Sequence, residues 1–129
     1  MNENQITGAI IAAAIKIHQA LGPGLLESVY QNILAYELKK EGFRVEKEVP
    51  IPVEWDHIKF DIGFRADLIV DGKIVVELKS VEEIKDVHKK QLLTYLKLTN
   101  TQVGLLINFN QSVLKDGITR VVNHFDENQ

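Results

Sequence analysis

Between Ile58 and Lys79 the chain reads IKFDIGFRADLIVDGKIVVELK, two apolar-rich runs joined around Asp71-Gly72. Such runs, Ile58 to Val70 and Lys73 to Lys79, close into an antiparallel hairpin, and the length of the loop fixes which side chains share a face. With a two-residue turn, Val70 faces Lys73 and Ala66 faces Glu77, so apolar positions are set against charged ones. A three-residue loop with a bulge instead pairs Val70 with Ile74, Leu68 with Val76 and Ala66 with Leu78. The apolar pattern selects the second register. It places Phe64, Ala66, Leu68 and Val70 on one face with Ile74, Val76 and Leu78, and leaves Arg65, Asp67 and Ile69 on the other with Val75, Glu77 and Lys79.

That register sets Asp67 directly across from Glu77, and Arg65 across from Lys79. Two carboxylates about 5 Å apart on opposed strands repel each other unless a proton or a cation lies between them. All-oxygen ligands with open positions for water and a phosphate suit Mg2+ or Mn2+. Such an ion lowers the pKa of a bound water and clamps a scissile phosphate, while Lys79 orients the nucleophile or stabilises developing charge. The implied reaction is phosphodiester hydrolysis. The bland alternative is that Lys79 only pairs with Glu77 on a solvated sheet face.

The rest of the chain supplies helices to cover this sheet. Ile6, Ile10, Ala13, Ala14, Ile17 and Leu21 recur at helical spacing and predict a helix from about Glu3 to Ala20. Gly22-Pro23-Gly24 stops it and reads as a connector that aims the next helix, Leu25 to Glu41, rather than as a phosphate loop; Gly42 ends that helix. On the second helix Glu27, Tyr30, Leu34 and Leu38 form one stripe, flanked by Leu26 and Ile33. A carboxylate on that stripe is either a first-turn acid favoured by the helix dipole or part of the site, which needs the helix to pack against the polar end of the sheet. Tyr30 reads as a core aromatic with a hydrogen-bonded hydroxyl.

FRVEKEVPIPVEW, from Phe43 to Trp55, is a strand whose alternation slips between Val45 and Val49, and Pro50 and Pro52 push it to a sheet edge. Trp55 and His57 decorate a hairpin tip. A helix from about Ile84 to Leu98 and a buried strand from Val103 to Phe109 follow, and the tail GITRVVNHF is either an edge strand or a short helix. The expected architecture is α/β, a small mixed sheet flanked by helices in the order α-α-β-β-β-α-β.

A chain of 129 residues with 45% hydrophobic content is read as one domain spanning 1–129. Its apolar runs fall short of a membrane span and its start is periodic without a basic leader, so a cytoplasmic protein is expected. No cysteine means no disulfide, thiolate nucleophile or zinc-thiolate site. The net charge of −3 argues against a uniformly basic nucleic-acid binder but leaves a local basic face open.

With Asp67, Glu77-Leu78-Lys79 and an upstream helical glutamate, the sequence resembles the PD-(D/E)XK, or restriction-endonuclease-like, nuclease superfamily. It is most similar to the GxxExxY family, whose name is matched by Gly24, Glu27 and Tyr30, and the likeness extends from His18-Gln19-Ala20-Leu21-Gly22 through ELKS to GLLINF. The resemblance implies a metal held by Glu27, Asp67 and Glu77, with Lys79 as the motif lysine. Gln91-Leu92-Leu93-Thr94-Tyr95 resembles the QxxxY motif of RecB-like members, which implies that Gln91 supports the metal or lysine and that Tyr95 approaches the substrate. One departure is Ala66, where the superfamily's name has proline.

His88 shares the helix face of Gln91 and Tyr95 and is expected either at the rim or on the substrate; Lys89 belongs to a solvated lysine face, with Lys85, Lys90 and Lys97, that also suits a nucleic-acid backbone. The expected function is a metal-dependent nuclease in DNA processing or repair, acting on DNA rather than RNA, with no membrane association and with specificity drawn from a homodimer or a protein partner. The alternative is a catalytically inactive nucleic-acid-binding or protein-interaction module of the same fold.

Overall fold

The computed structural model describes residues 1–124, apart from the side chain of Ile62. Two helices lead, α1 (Glu3–Leu21) and α2 (Glu27–Lys40), followed by strands β1 (Val45–Trp55), β2 (Ile58–Val70) and β3 (Ile74–Lys79), helix α3 (Asp86–Thr99), strand β4 (Val103–Asn108), a single 3-10 turn (Leu114–Gly117) and strand β5 (Ile118–Val122). The strands form one mixed sheet in the order β1-β2-β3-β4-β5, antiparallel except for the parallel pair β3 and β4. Such a parallel pair needs a crossover, and α3 provides it. The expected α/β order is thus met, with the tail adding a fifth strand through Val122; Phe125, the last residue of GITRVVNHF, lies outside the described residues.

Local chemistry fixes the helix ends. Asn2 and Gln5 exchange side-chain and backbone hydrogen bonds of 2.9 and 3.0 Å, a capping box that starts α1. Gly22 and Gly24 take φ of 72° and 104° in the connector, and Gly42 takes 98° after α2, where a side chain would be strained. The stripe of α1 is buried from Ile6 to Ile17, but Leu21 is 47% exposed because the helix ends there. On α2, Tyr30, Leu34 and Leu38 are buried as expected, whereas Leu26 precedes the first helical residue and stands in solvent. Among the described residues no helix is long and apolar enough to cross a membrane.

Each sheet face has its own core. Leu68, Val70, Ile74, Val76 and Leu78 join Val103, Leu105 and Ile107 beneath α1 and α2. Ile69, Val75 and Leu106 pack with Leu92, Tyr95 and Leu96 of α3 on the other side. Gly104 allows this close approach, since a Cβ there would lie 3.0 Å from Leu92 and 3.1 Å from Leu96.

The hairpin loop is the three-residue one. Val70 pairs with Ile74 and Leu68 with Val76, and Asp71 and Gly72 both have positive φ. Two details differ from the sequence reading. Phe64 and Ala66 pack under α3, not with Leu68 and Val70, and Val49 and Ile51 of β1 go with them. The backbone ladder of β2 and β3 also stops at Leu68 and Val76, before Ala66 and Leu78.

Both departures arise at one place. The β1–β2 ladder runs from Val45–Val70 through Lys47–Leu68 and resumes at Val49–Ala66, skipping Glu48 and Asp67. Glu48 has φ of 52°, uncommon for a residue with a Cβ, and its twist turns the outer half of the hairpin so that its apolar side meets α3. The slip between Val45 and Val49 in the sequence is the trace of this break. At the far end, Asp56 and His57 form the tip with φ of 54° and 63°, and Trp55 is 76% exposed.

Candidate active site

Asp67 occupies the break in the ladder. Its amide donates to Glu77 Oε1 at 3.2 Å, and in return its Oδ2 accepts the amide of Leu78 at 2.8 Å. Each acid therefore takes a backbone donor of the opposite strand, replacing the ladder bonds that end one residue earlier. The reciprocal bonds aim both carboxyl groups at the same point, and the two groups lie within hydrogen-bonding reach of each other.

This geometry is electrostatically costly without a cation. Burial, and then the Asp67 charge, push the Glu77 carboxyl up to about 9, and Lys79 offsets this only in part. Asp67 is also raised, first by burial; the Leu78 amide lowers it, while the charges of Glu48 and Glu27 raise it. Glu48 was not singled out in the sequence, where it is one acid among several along a charged edge strand. Its approach to Asp67 follows from the β1–β2 register, visible only once both strands are paired.

Glu27, at the start of α2, reaches the chain leaving β3, with Oε1 accepting the amide of Ser80 at 3.2 Å. The Ser80 hydroxyl donates to Leu25 O at 3.2 Å, which ties the α1–α2 connector to the same segment. Tyr30 secures that connector from below: its hydroxyl donates to Gly22 O at 2.6 Å and accepts from Leu25 N at 3.2 Å, while its ring stacks on Phe109 at 4.1 Å. The core-aromatic reading of Tyr30 and the connector reading of Gly22-Pro23-Gly24 thus agree with the structure. Glu27 is brought to the polar end of the sheet but not into the carboxylate pair. Among the described residues no three His, Asp or Glu side chains are gathered to hold a metal as they stand.

The α3 residues divide. Tyr95 is buried, with its ring 4.1 Å from that of Phe64, and burial followed by the charges of Glu77 and Asp67 pushes its hydroxyl up to about 12. It stands beside the acids and keeps its proton. Gln91 and Lys89 occupy exposed positions of α3, and His88 Nδ1 accepts the amide of Lys85 at 3.0 Å, so one ring nitrogen serves the start of the helix. His18 is buried, and its Nε2 donates to Gln111 O at 2.7 Å. The sequence reading passed over Asn108, fully buried at the end of β4, because a single amide inside GLLINF carries no periodic signal.

The donor set fits a hard divalent cation. Two carboxyl groups converge, Glu77 buried and Asp67 half-buried, and each is held by a backbone amide, so a proton or a cation is needed to relieve them. Neither a curated protein nor a solved structure gives a significant match to the chain. A family model described as the PD-(D/E)XK nuclease superfamily matches residues 4–121, from the first turn of α1 into β5, and includes both opposed acids. The chain belongs to the PD-(D/E)XK nuclease superfamily.

Proposed function

We propose that this protein is a metal-dependent nuclease that hydrolyses phosphodiester bonds of nucleic acid, DNA in preference to RNA, with one catalytic domain in residues 1–129. Within the superfamily we place it in the GxxExxY group on Gly24, Glu27 and Tyr30. The observation that carries the reading is the reciprocal clasp of Asp67 and Glu77, a half-buried and a buried acid facing one another with Lys79 two residues along the strand. A scaffold has no need to oppose two carboxyl groups at such electrostatic cost.

Asp67 and Glu77 would hold Mg2+ or Mn2+, and Glu27 would complete the set by leaving the Ser80 amide. The ion when bound supplies charge neutralisation at the scissile phosphate and a more acidic water. Lys79 orients the attacking water and balances charge on the phosphate. Tyr95, protonated at every physiological pH, donates to a substrate oxygen, and Gln91 supports Lys79 from α3. His88 and Lys89 at the start of α3 face the nucleic-acid backbone, where their contribution is salt-dependent.

Supercoiled plasmid, linear duplex, single-stranded DNA and RNA, each incubated with Mg2+, Mn2+ or chelator, test the proposal. Cleavage by the wild type that chelator abolishes and Asp67→Ala, Glu77→Gln and Lys79→Ala each reduce by at least about a hundredfold supports it. Identical behaviour of wild type and Asp67→Ala on every substrate would refute it, leaving the alternative of an inactive binding module.

A further inference from the structure

We infer that Asn108 is a positioning residue for this site, its side-chain amide holding the Lys79–Val81 segment against Glu27. Asn108 is the last residue of β4, fully buried, and paired in the parallel ladder with Lys79. Beyond that pair the chain leaving β3 has no strand beside it. The side chain of Asn108 takes over: Oδ1 accepts the amide of Val81 at 3.1 Å, and Nδ2 donates to Val81 O at 2.8 Å. One primary amide thus bonds both backbone groups of one residue, as a neighbouring strand would. Asn110 adds its own amide to Asn108 Oδ1 at 3.2 Å, and Phe109 N donates to Lys79 O at 2.9 Å.

Ser80 lies between two residues anchored in this way. Its amide is consequently fixed where Glu27 Oε1 meets it, and its hydroxyl where it meets Leu25 O. Asn108 touches none of the acids; it acts through Val81 and Ser80. Only a side chain with both a donor and an acceptor can do this, since aspartate at the same position accepts from the Val81 amide but opposes the Val81 carbonyl. The inference builds on the nuclease reading, and one arm of its test is independent of cleavage.

That arm is amide hydrogen exchange on wild-type protein and Asn108→Asp. The inference expects exchange at Ser80 to rise about tenfold or more while Val75 and Leu105, inside the sheet, exchange as in wild type. Unchanged protection at Ser80 would overturn it.

The second arm compares wild type, Asn108→Asp, Glu27→Gln and the double variant on plasmid DNA with Mg2+. The expected result is a kcat lowered about 10- to 100-fold by Asn108→Asp with KM little changed, and less than about a twofold further loss in the Glu27→Gln background. Equal losses in both backgrounds would mean general destabilisation and overturn the inference. A wild type inert on all polynucleotides would overturn the nuclease reading instead, and the exchange arm would then decide the role of Asn108 alone.

Discussion

Binding of Mg2+ to the Asp67–Glu77 pair should expel close to one proton near neutral pH. Glu77 is pushed up to about 9 by burial and by Asp67, so near pH 7 the metal-free protein carries that proton. A carboxyl group must release its proton to ligate a cation, so the metal and the proton compete for one site. Two measurable quantities follow. Titration calorimetry in buffers of different ionisation enthalpy gives an apparent binding enthalpy whose slope against that enthalpy counts the protons released, and about one is expected. The apparent affinity should also rise about tenfold per pH unit between about pH 6 and pH 8, because that whole range lies below the Glu77 value. Glu77→Gln keeps the shape but has no proton to lose, and should abolish both the slope and most of the binding. Measurable Mg2+ binding with a slope near zero and a constant affinity across the range would refute the argument, since it would mean that Glu77 is already ionised or is not a ligand.

The same proton governs metal-free stability. The folded-state value of Glu77 lies above its ordinary 4.5, so stability is greatest below about 4.5 and falls as pH rises toward about 9, by up to ~1.4 kcal/mol per pH unit. Glu77→Gln should flatten that dependence and melt several degrees above wild type near pH 8.5, measured by thermal unfolding in chelator. Tyr30→Phe removes the donor to Gly22 O and the acceptor for Leu25 N while keeping the Phe109 stack, and should cost about 1–3 kcal/mol in urea unfolding with a matching loss of order in the α1–α2 connector. Gly104→Ala drives a methyl to within 3.0 Å of Leu92 and 3.1 Å of Leu96, so α3 must shift outward; about 1–3 kcal/mol of destabilisation is expected by the same assay.

Much of this fold is written in short-range patterns, and the failures share one cause. The three-residue loop could be chosen from the sequence because one register alone set Leu68, Val70, Ile74 and Val76 together, and that register delivered Asp67 opposite Glu77. Helical spacing likewise placed Tyr30, Leu34 and Leu38 in the core. Phe64 and Ala66 went to the wrong face because strict alternation assumes an unbroken strand, whereas Glu48 at φ of 52° interrupts β1 and re-aims everything beyond it. A glutamate carries no local mark of that conformation in the way that glycine does. Asn108 was missed for a similar reason: its partners at Val81 are 27 residues away, and only the β3–β4 crossover brings them together.

The break at Glu48 and Asp67 also explains why the acids can meet at all. In an uninterrupted antiparallel ladder the amides of Asp67 and Leu78 would be spent on backbone carbonyls, and opposed carboxylates would turn away from one another toward solvent. Here the β2–β3 ladder ends at Leu68 and Val76, beside the gap in the β1–β2 ladder, and the Asp67 and Leu78 amides pass to the two carboxyl groups instead. The irregularity is therefore the means by which the backbone holds two carboxyl groups face to face. Restoring regular pairing by replacing Glu48 with a β-branched residue would favour β1 but oppose its positive φ. Glu48→Val should thus lower stability while Glu48→Gly preserves or raises it, and denaturant unfolding of the two variants separates the backbone role of position 48 from the charge that it places near Asp67. If Glu48→Val were the more stable of the two, the positive φ would have no part in holding the site.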